Sequence, residues 1–215
     1  PGKKRLCTPA FVRERKGLSI FRSISPISAP KCIAICGIQH HVGTTTISLA
    51  LSNYLCSKEN LRTAYVELNA SGQILGLTCG KTSGIFTYMG IDFFPNATLS
   101  DLDQIRLLHY DYLISDFGVF TPDVLSGSVH SSACMIVGSV SQWNTSRYGS
   151  FIMSLEKQRI YQEPIIFLDN LGSKKESKTM KRLYHTDVIP FPYLTNPFQL
   201  TFDDLEIFKR LLGKI

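Results

Sequence analysis

The chain has 215 residues, 44% hydrophobic and 19% charged, and a net charge of +6. That length and balance suit one α/β domain with a sizeable core and argue against a disordered chain. No apolar run reaches the roughly 18 residues of a transmembrane helix, and the N-terminal stretch has no apolar region of signal-peptide type.

The charge is uneven. Residues 1–31 hold eight Lys or Arg against Glu14 alone, a net +7, which leaves about −1 for the rest. Residues 1–30 therefore read as a basic, Pro- and Ser-containing arm or linker, with a short helix at 10–21, and residues 31–215 as the folded body. Such an arm suits anionic lipid, nucleic acid or an acidic partner, or is a solvated linker. The six cysteines include no C-x-x-C pair and no zinc spacing. Cys32, Cys36 and Cys134 fall in apolar strands, where reduced Cys acts as a small hydrophobe. A cytoplasmic protein, soluble or peripheral at a membrane, is expected.

Cys32–Cys36 predicts a short buried strand, and Thr44–Leu55 a helix with a broad apolar face. Between them lies GIQHHVGTTT. A strand, a glycine-containing loop and a Thr-rich helix start form the layout of a phosphate cradle, in which backbone N–H groups and the helix dipole favour an anion. A standard P-loop places Lys before the helix Ser/Thr. Here Gly43 is followed by Thr44, Thr45 and Thr46, so that cation is missing.

Arg62–Leu68 predicts a second strand, 70–80 a loop or weak helix, and Ile85–Phe94 one or two short strands. Thr98–His109 reads as a helix capped by Ser100 or Thr98. Tyr112–Ser115 is a buried strand ending at Asp116, and Thr121–Ser126 a short helix with Pro122 early. Then come a strand at Ala133–Val140, a helix at Thr145–Arg159, a strand at Pro164–Leu168, a helix near 174–184, a strand at Val188–Pro190 and a last helix at Thr201–Gly213. Alternation at this spacing predicts a mainly parallel sheet with helices on both faces, a P-loop NTPase-like three-layer sandwich. Ligands of such folds bind at the carboxyl ends of the strands. Attention therefore falls on Gly37–Thr46, Glu67–Asn69, Asp116–Gly118, Asn170 and Pro190–Pro192.

Taken together these residues resemble the ParA/MinD class of deviant Walker A P-loop ATPases, whose loop reads KGGVGKTT. Gln39–Thr46 is QHHVGTTT: Val42, Gly43, Thr45 and Thr46 match, Gln39 replaces the signature Lys, His40 and His41 replace two glycines, and Thr44 replaces the P-loop Lys. The run YDYLISD is similar to the family's Walker B strand. The resemblance implies ATP or ADP with Mg²⁺, bound weakly, or no nucleotide in a fully degenerate site. It implies nucleotide contacts at Gly37, Val42, Gly43, Thr44, Thr45, Thr46, Asn170, Pro190 and Phe191. Thr45 and Asp116 would serve the Mg²⁺, and Glu67 would orient water. Within the class the layout is similar to TadZ/CpaE-type proteins, which position Tad pilus or secretion machinery. Without the two lysines, hydrolysis should suffer more than binding, because phosphoryl transfer rests on electrostatic stabilisation.

The expected function is thus a nucleotide-binding or pseudo-ATPase scaffold, with a homodimer and a protein partner as the implied assemblies. The alternatives are an interaction module that binds no nucleotide, or a partition-type ATPase meeting membrane or DNA. The last helix has either a membrane-facing or a sheet-packed reading, and its wide apolar face favours packing. Trp143 and Arg147 read either as part of a dimer face or lid, or as packing at a helix start.

Overall fold

The computed structural model describes residues 13–14, 29–121, 124, 127–141, 143–158, 164–170 and 173–215. Among the described residues nine strands form one sheet: β1 Arg13–Glu14, β2 Lys31–Gly37, β3 Thr63–Glu67, β4 Phe86–Tyr88, β5 Ile91–Phe94, β6 Tyr112–Val119, β7 Ala133–Gly138, β8 Ile165–Asn170 and β9 Val188–Phe191. Their spatial order is β1-β4-β5-β3-β6-β2-β7-β8-β9. From β5 to β9 every pairing is parallel, and β4 joins β5 and β1 antiparallel. The principal helices are α1 Thr44–Ser57, α2 Leu99–Arg106, α3 Thr145–Gln158, α4 Lys174–Tyr184 and α5 Phe202–Leu212, with a 3₁₀ turn at Gln73–Thr78. This is the expected α/β class, mainly parallel and covered on both faces.

The central strand shows how sequence produces the layers. In β2, Ile33 and Ile35 face a core shared with α1 and α5. Cys32, Ala34 and Cys36 face the opposite core, with α2, α3 and α4. A strand buried on both faces reads as a continuous apolar run, and each enclosed Ile contributes about 1.5–3 kcal/mol. The small residues on the second face leave room for Tyr148 and Phe167, which meet edge to face.

Local chemistry sets several boundaries. Thr98, Ser173 and Thr201 each cap a helix reciprocally with an acidic residue three positions on: Asp101, Glu176 and Asp204. The cap of α2 is therefore Thr98 rather than Ser100. The expected strand run at 85–94 divides at Met89–Gly90, both with positive φ, into the β4–β5 hairpin. Strand β6 runs past its expected end at Ser115 to Val119, because β2 continues to pair with it as far as Gly37↔Val119. Asp116 is thus inside a strand rather than at its tip.

Three other expectations need correction or limits. Arg13 and Glu14 pair with Thr87 and Phe86 as an edge strand, so the helix expected at 10–21 does not hold at these two residues; its remainder lies outside the described residues. The helix expected at 121–126 also lies partly outside them, although Val124 is helical and buried. Trp143 is 83% exposed, so it does not pack the start of α3. Helix α5 lays Phe208 and Leu211 on the sheet, with Leu205, Ile207, Leu212 and Ile215 beside them, as the sheet-packed reading expects. Among the described residues no helix is long and apolar enough to cross a membrane.

Candidate functional site: a phosphate-cradle loop at the sheet's centre

Strand β2 lies between β6 and β7, and the loop after it opens at the carboxyl end of the sheet's middle. Ile38 N–H still bonds Val137 O. The backbone N–H groups of residues 43–46, which lead into α1, then have no acceptor among the described residues. His41 has φ 61° and Gly43 φ 90°, which turns the chain into α1. Gly43 is the N-cap residue, so no side chain serves the first turn of the helix. A row of free N–H groups at a helix N-terminus is an anion cradle. Glycine is required at 43 by its φ and also by space, since a Cβ there would overlap the Asn170 amide.

The side chains of the loop are less standard. Val42 and Thr44 are 6% and 7% exposed. A Cβ on Gly37 would lie 2.6 Å from both Val42 Cγ2 and Thr44 Oγ1. Gly37 therefore makes room for side chains of the loop itself. Gln39 Oε1 is buried with no hydrogen-bond partner among the described residues. His40 and His41 are exposed, 6.2 Å apart, and among the described residues no group of three or more His, Cys, Asp or Glu could hold a metal. The Thr46 hydroxyl, half-buried, has no partner among the described residues.

Asp116 is fully buried. Its Oδ2 accepts from Thr45 Oγ1 at 2.7 Å and from Tyr65 Oη at 2.6 Å, and its Oδ1 accepts from Gly118 N–H at 2.8 Å. Burial, the Asp116 charge and this hydrogen bond hold the Tyr65 phenol well above its ordinary pKa, so it stays protonated. Tyr65 was not among the expected site residues. The sequence held a signal: a Tyr in an aliphatic buried strand needs a partner for its hydroxyl. Gly118, φ 65°, sits against Asn69, whose Cβ would be 2.7 Å from a Cβ at 118.

The other expected positions fall as follows. Glu67 is fully buried, and its carboxylate accepts from Ser71 Oγ at 2.9 Å and Asn96 N–H at 3.1 Å. It braces the two loops beside the site. Asn170 donates through Nδ2 to Val42 O at 2.7 Å, which ties the end of β8 to the loop; its Oδ1 has no partner among the described residues. Pro190 is half-buried in β9. Phe191 is 2% exposed and packs on Phe208, so it belongs to the α1–α5 core. Asp169, which sequence reasoning did not single out, is fully buried, accepting from Val140 N–H at 3.0 Å and Ser177 Oγ at 3.4 Å. Burial pushes its carboxyl up to about 6.

A phosphate fits the donors here: the N–H groups of residues 43–46 in the uncapped first turn of α1. The Thr45 hydroxyl gives its proton to Asp116 and keeps lone pairs that could meet a Mg²⁺. Asn170 Oδ1 could accept from an adenine amino group. Thr44 places a hydroxyl rather than a cation at the start of α1; a charge-assisted contact is worth about 1.5–3 kcal/mol, or roughly 10–100-fold in affinity.

No family model and no curated protein sequence matches the chain. Solved structures do match. A plasmid partition protein of Borrelia burgdorferi B31, bound to AMPPNP, superposes with a TM-score of 0.66 at 15% identity, over 86% of this chain and 98% of its own. MinD in the MinC:MinD cell division complex of Aquifex aeolicus gives 0.64 at 14% identity, over 86% and 96%. A nucleotide-binding protein from Archaeoglobus fulgidus in complex with ADP gives 0.52 at 17%, over 84% and 86%. The chain is an α/β protein with a P-loop NTPase-like fold. Within that class, its fold is of the ParA/MinD type.

Proposed function

We propose that the chain is a nucleotide-binding protein of ParA/MinD type that acts as a positioning or regulatory scaffold, with weak or no ATP hydrolysis. The observation that carries this reading is the run of backbone N–H groups at residues 43–46, leading into α1, that have no acceptor among the described residues. The AMPPNP and ADP held by structural neighbours support it. Gly43, Thr45, Thr46 and the loop backbone would hold the phosphates, Thr45 and Asp116 the Mg²⁺, and Asn170 the base. Bound Mg²⁺ would supply positive charge at the phosphates. The chain's own groups bind and orient but provide no cation where Thr44 stands. A homodimer and a protein partner are the implied assemblies, and the Tad-type machinery is the cargo the sequence resemblance suggests. Calorimetric titration with Mg-ATP tests the reading. Binding in the micromolar to millimolar range with little turnover is expected. Rapid Mg-dependent turnover abolished in Asp116→Ala would refute the pseudo-ATPase part.

A second reading has its own support. Val42 and Thr44 fold over Gly37, and two His stand where the related loop has glycines. A loop of this kind suits an interaction module that binds no nucleotide and recruits through its surfaces, the basic arm among them. Absence of any heat with ATP, ADP or AMPPNP would favour it. Co-sedimentation with anionic vesicles or DNA, with and without residues 1–30, tests the membrane and DNA versions; binding that falls steeply with salt is expected for either.

A further inference from the structure

Helix α4, Lys174–Tyr184, turns Ser177 and Met180 inward, both buried, and Tyr184 lies against Gly149 of α3. By helical periodicity the opposite side carries Lys175, Lys178 and Arg182, all exposed. Their positions differ by three and four residues, about 4.5 and 6 Å along the axis. The outermost line of the helix is cationic along its length.

This charge is not balanced within the fold. Arg106 pairs with Asp103 on α2, Lys209 with Glu206 on α5, and Lys181, at the edge of α4, with Asp187. Among the described residues no salt bridge reaches Lys175, Lys178 or Arg182. Glu176, the one carboxylate of α4, is turned back to the Ser173 cap. Lys175 and Lys178 stand three apart and Lys178 and Arg182 four apart, spacings at which like charges oppose the helix. Lys175 also lies in the first turn, where the helix dipole disfavours a cation. A solvated face gains nothing from that arrangement, whereas an anionic partner relieves it.

Apolar surface adjoins the charge. Leu183, beside Arg182, is 54% exposed. On α3, Met153 is 40% exposed and lies between Gly149 and Glu156, which meet Tyr184 and Thr186. The end of α4 thus combines cations with two apolar side chains. A phosphate backbone rewards the cations alone, and a bilayer needs apolar residues on the outermost line. Protein interfaces join the two, with Arg and Met favoured in them. We infer that the α4 face, Lys175, Lys178 and Arg182 with Leu183 and Met153, docks an acidic segment of a partner protein that also carries an apolar residue. This holds whether or not the loop after β2 takes nucleotide.

The test uses the full chain and a fluorescent helical peptide with Glu at i, i+3 and i+7 and Leu on the adjoining positions, read by anisotropy. Lys175→Gln/Lys178→Gln/Arg182→Gln should weaken binding about tenfold or more, and Leu183→Ser about threefold or more. The triple variant should unfold at the wild-type urea midpoint or above it, since its like-charged pairs are gone. A lower midpoint would overturn the claim that these cations have no partner in the chain. Equal peptide affinity in the wild type and the triple variant would place the binding elsewhere, the basic arm included, and overturn the inference. Unchanged affinity in Leu183→Ser would overturn the choice of a protein over a plain polyanion. No binding of the peptide, or a tighter α4-dependent association with duplex DNA or anionic vesicles, would also overturn it.

Discussion

Asp169→Asn is the substitution whose effect the structure prescribes most closely. Asp169 is fully enclosed on β8. Its pKa rises from 3.8 to about 6, because burial outweighs the hydrogen bonds from Val140 N–H and Ser177 Oγ, and the Glu176 charge adds to the rise. An acid whose folded pKa is raised is bound more tightly to its proton in the native state. Below about pH 4 the native protein gains fully from the neutral form, and the gain is lost as pH rises through 6. That rise corresponds to about 3 kcal/mol. The residue lies at the carboxyl end of β8, next to half-buried Asn170, and screening by nearby water reduces this to about 1–2 kcal/mol. Asn is the same size, can accept from Val140 N–H and is neutral at every pH. Asp169→Asn should therefore stabilise the fold by about 1–2 kcal/mol at pH 8 and by almost nothing at pH 3.5. Urea unfolding midpoints across that range give the measurement. A variant less stable than the wild type at pH 8 would refute the reasoning, since the ionised carboxylate would then be holding Val140 N–H more strongly than burial opposes it.

Other outcomes follow from the same contacts. Gly149→Ala places a methyl group inside the Tyr184 ring on α4 and should cost about 1–3 kcal/mol; adding Tyr184→Ala should recover part of that loss in a double-mutant cycle of thermal or urea unfolding. Asn170→Ala removes the amide bond to Val42 O, with an expected cost of about 1 kcal/mol in stability and a weaker ATP affinity by calorimetry. Thr44→Lys places a cation in the loop and should tighten ATP binding by about 10–100-fold; unchanged affinity would mean that the space over Gly37 is closed to a longer chain. Thr98→Ala breaks the capping box of α2 and should cost about 1 kcal/mol in unfolding free energy.

Some of this protein could be read directly from the chain. Alternation of Ile and small residues in KCIAICG, the turn residues at Met89–Gly90 and the Thr/Asp and Ser/Glu pairs at helix starts are local patterns with a local physical cause. So is the placement of Gly43 before a Thr-rich helix. These short-range signals gave the α/β class, the parallel sheet and the loop. The edge strand at Arg13–Glu14 was less visible, because two residues carry too little periodicity to reveal a pairing made at Thr87 and Phe86.

The site's inner chemistry depended on register. Asp116 could be named from YDYLISD, but its partners could not. Tyr65 reaches it only because β3 and β6 pair with Glu67 opposite Asp116, and a shift of one residue would turn that phenol to the other face. The same holds for Asn170, whose amide meets Val42 O across 128 residues of chain. It holds for Phe191, which the tertiary packing against Phe208 assigns to the core, and for Asp169, which is buried by α4 and the loop at Val140. The sequence by itself determined most of the elements, their order and a loop that carries Thr44 after Gly43, since these are properties of neighbouring residues. Only the tertiary structure decided which hydroxyls and amides occupy the carboxylate and the loop carbonyl, because hydrogen bonds between distant strands depend on ångström-scale alignment set by the sheet as a whole.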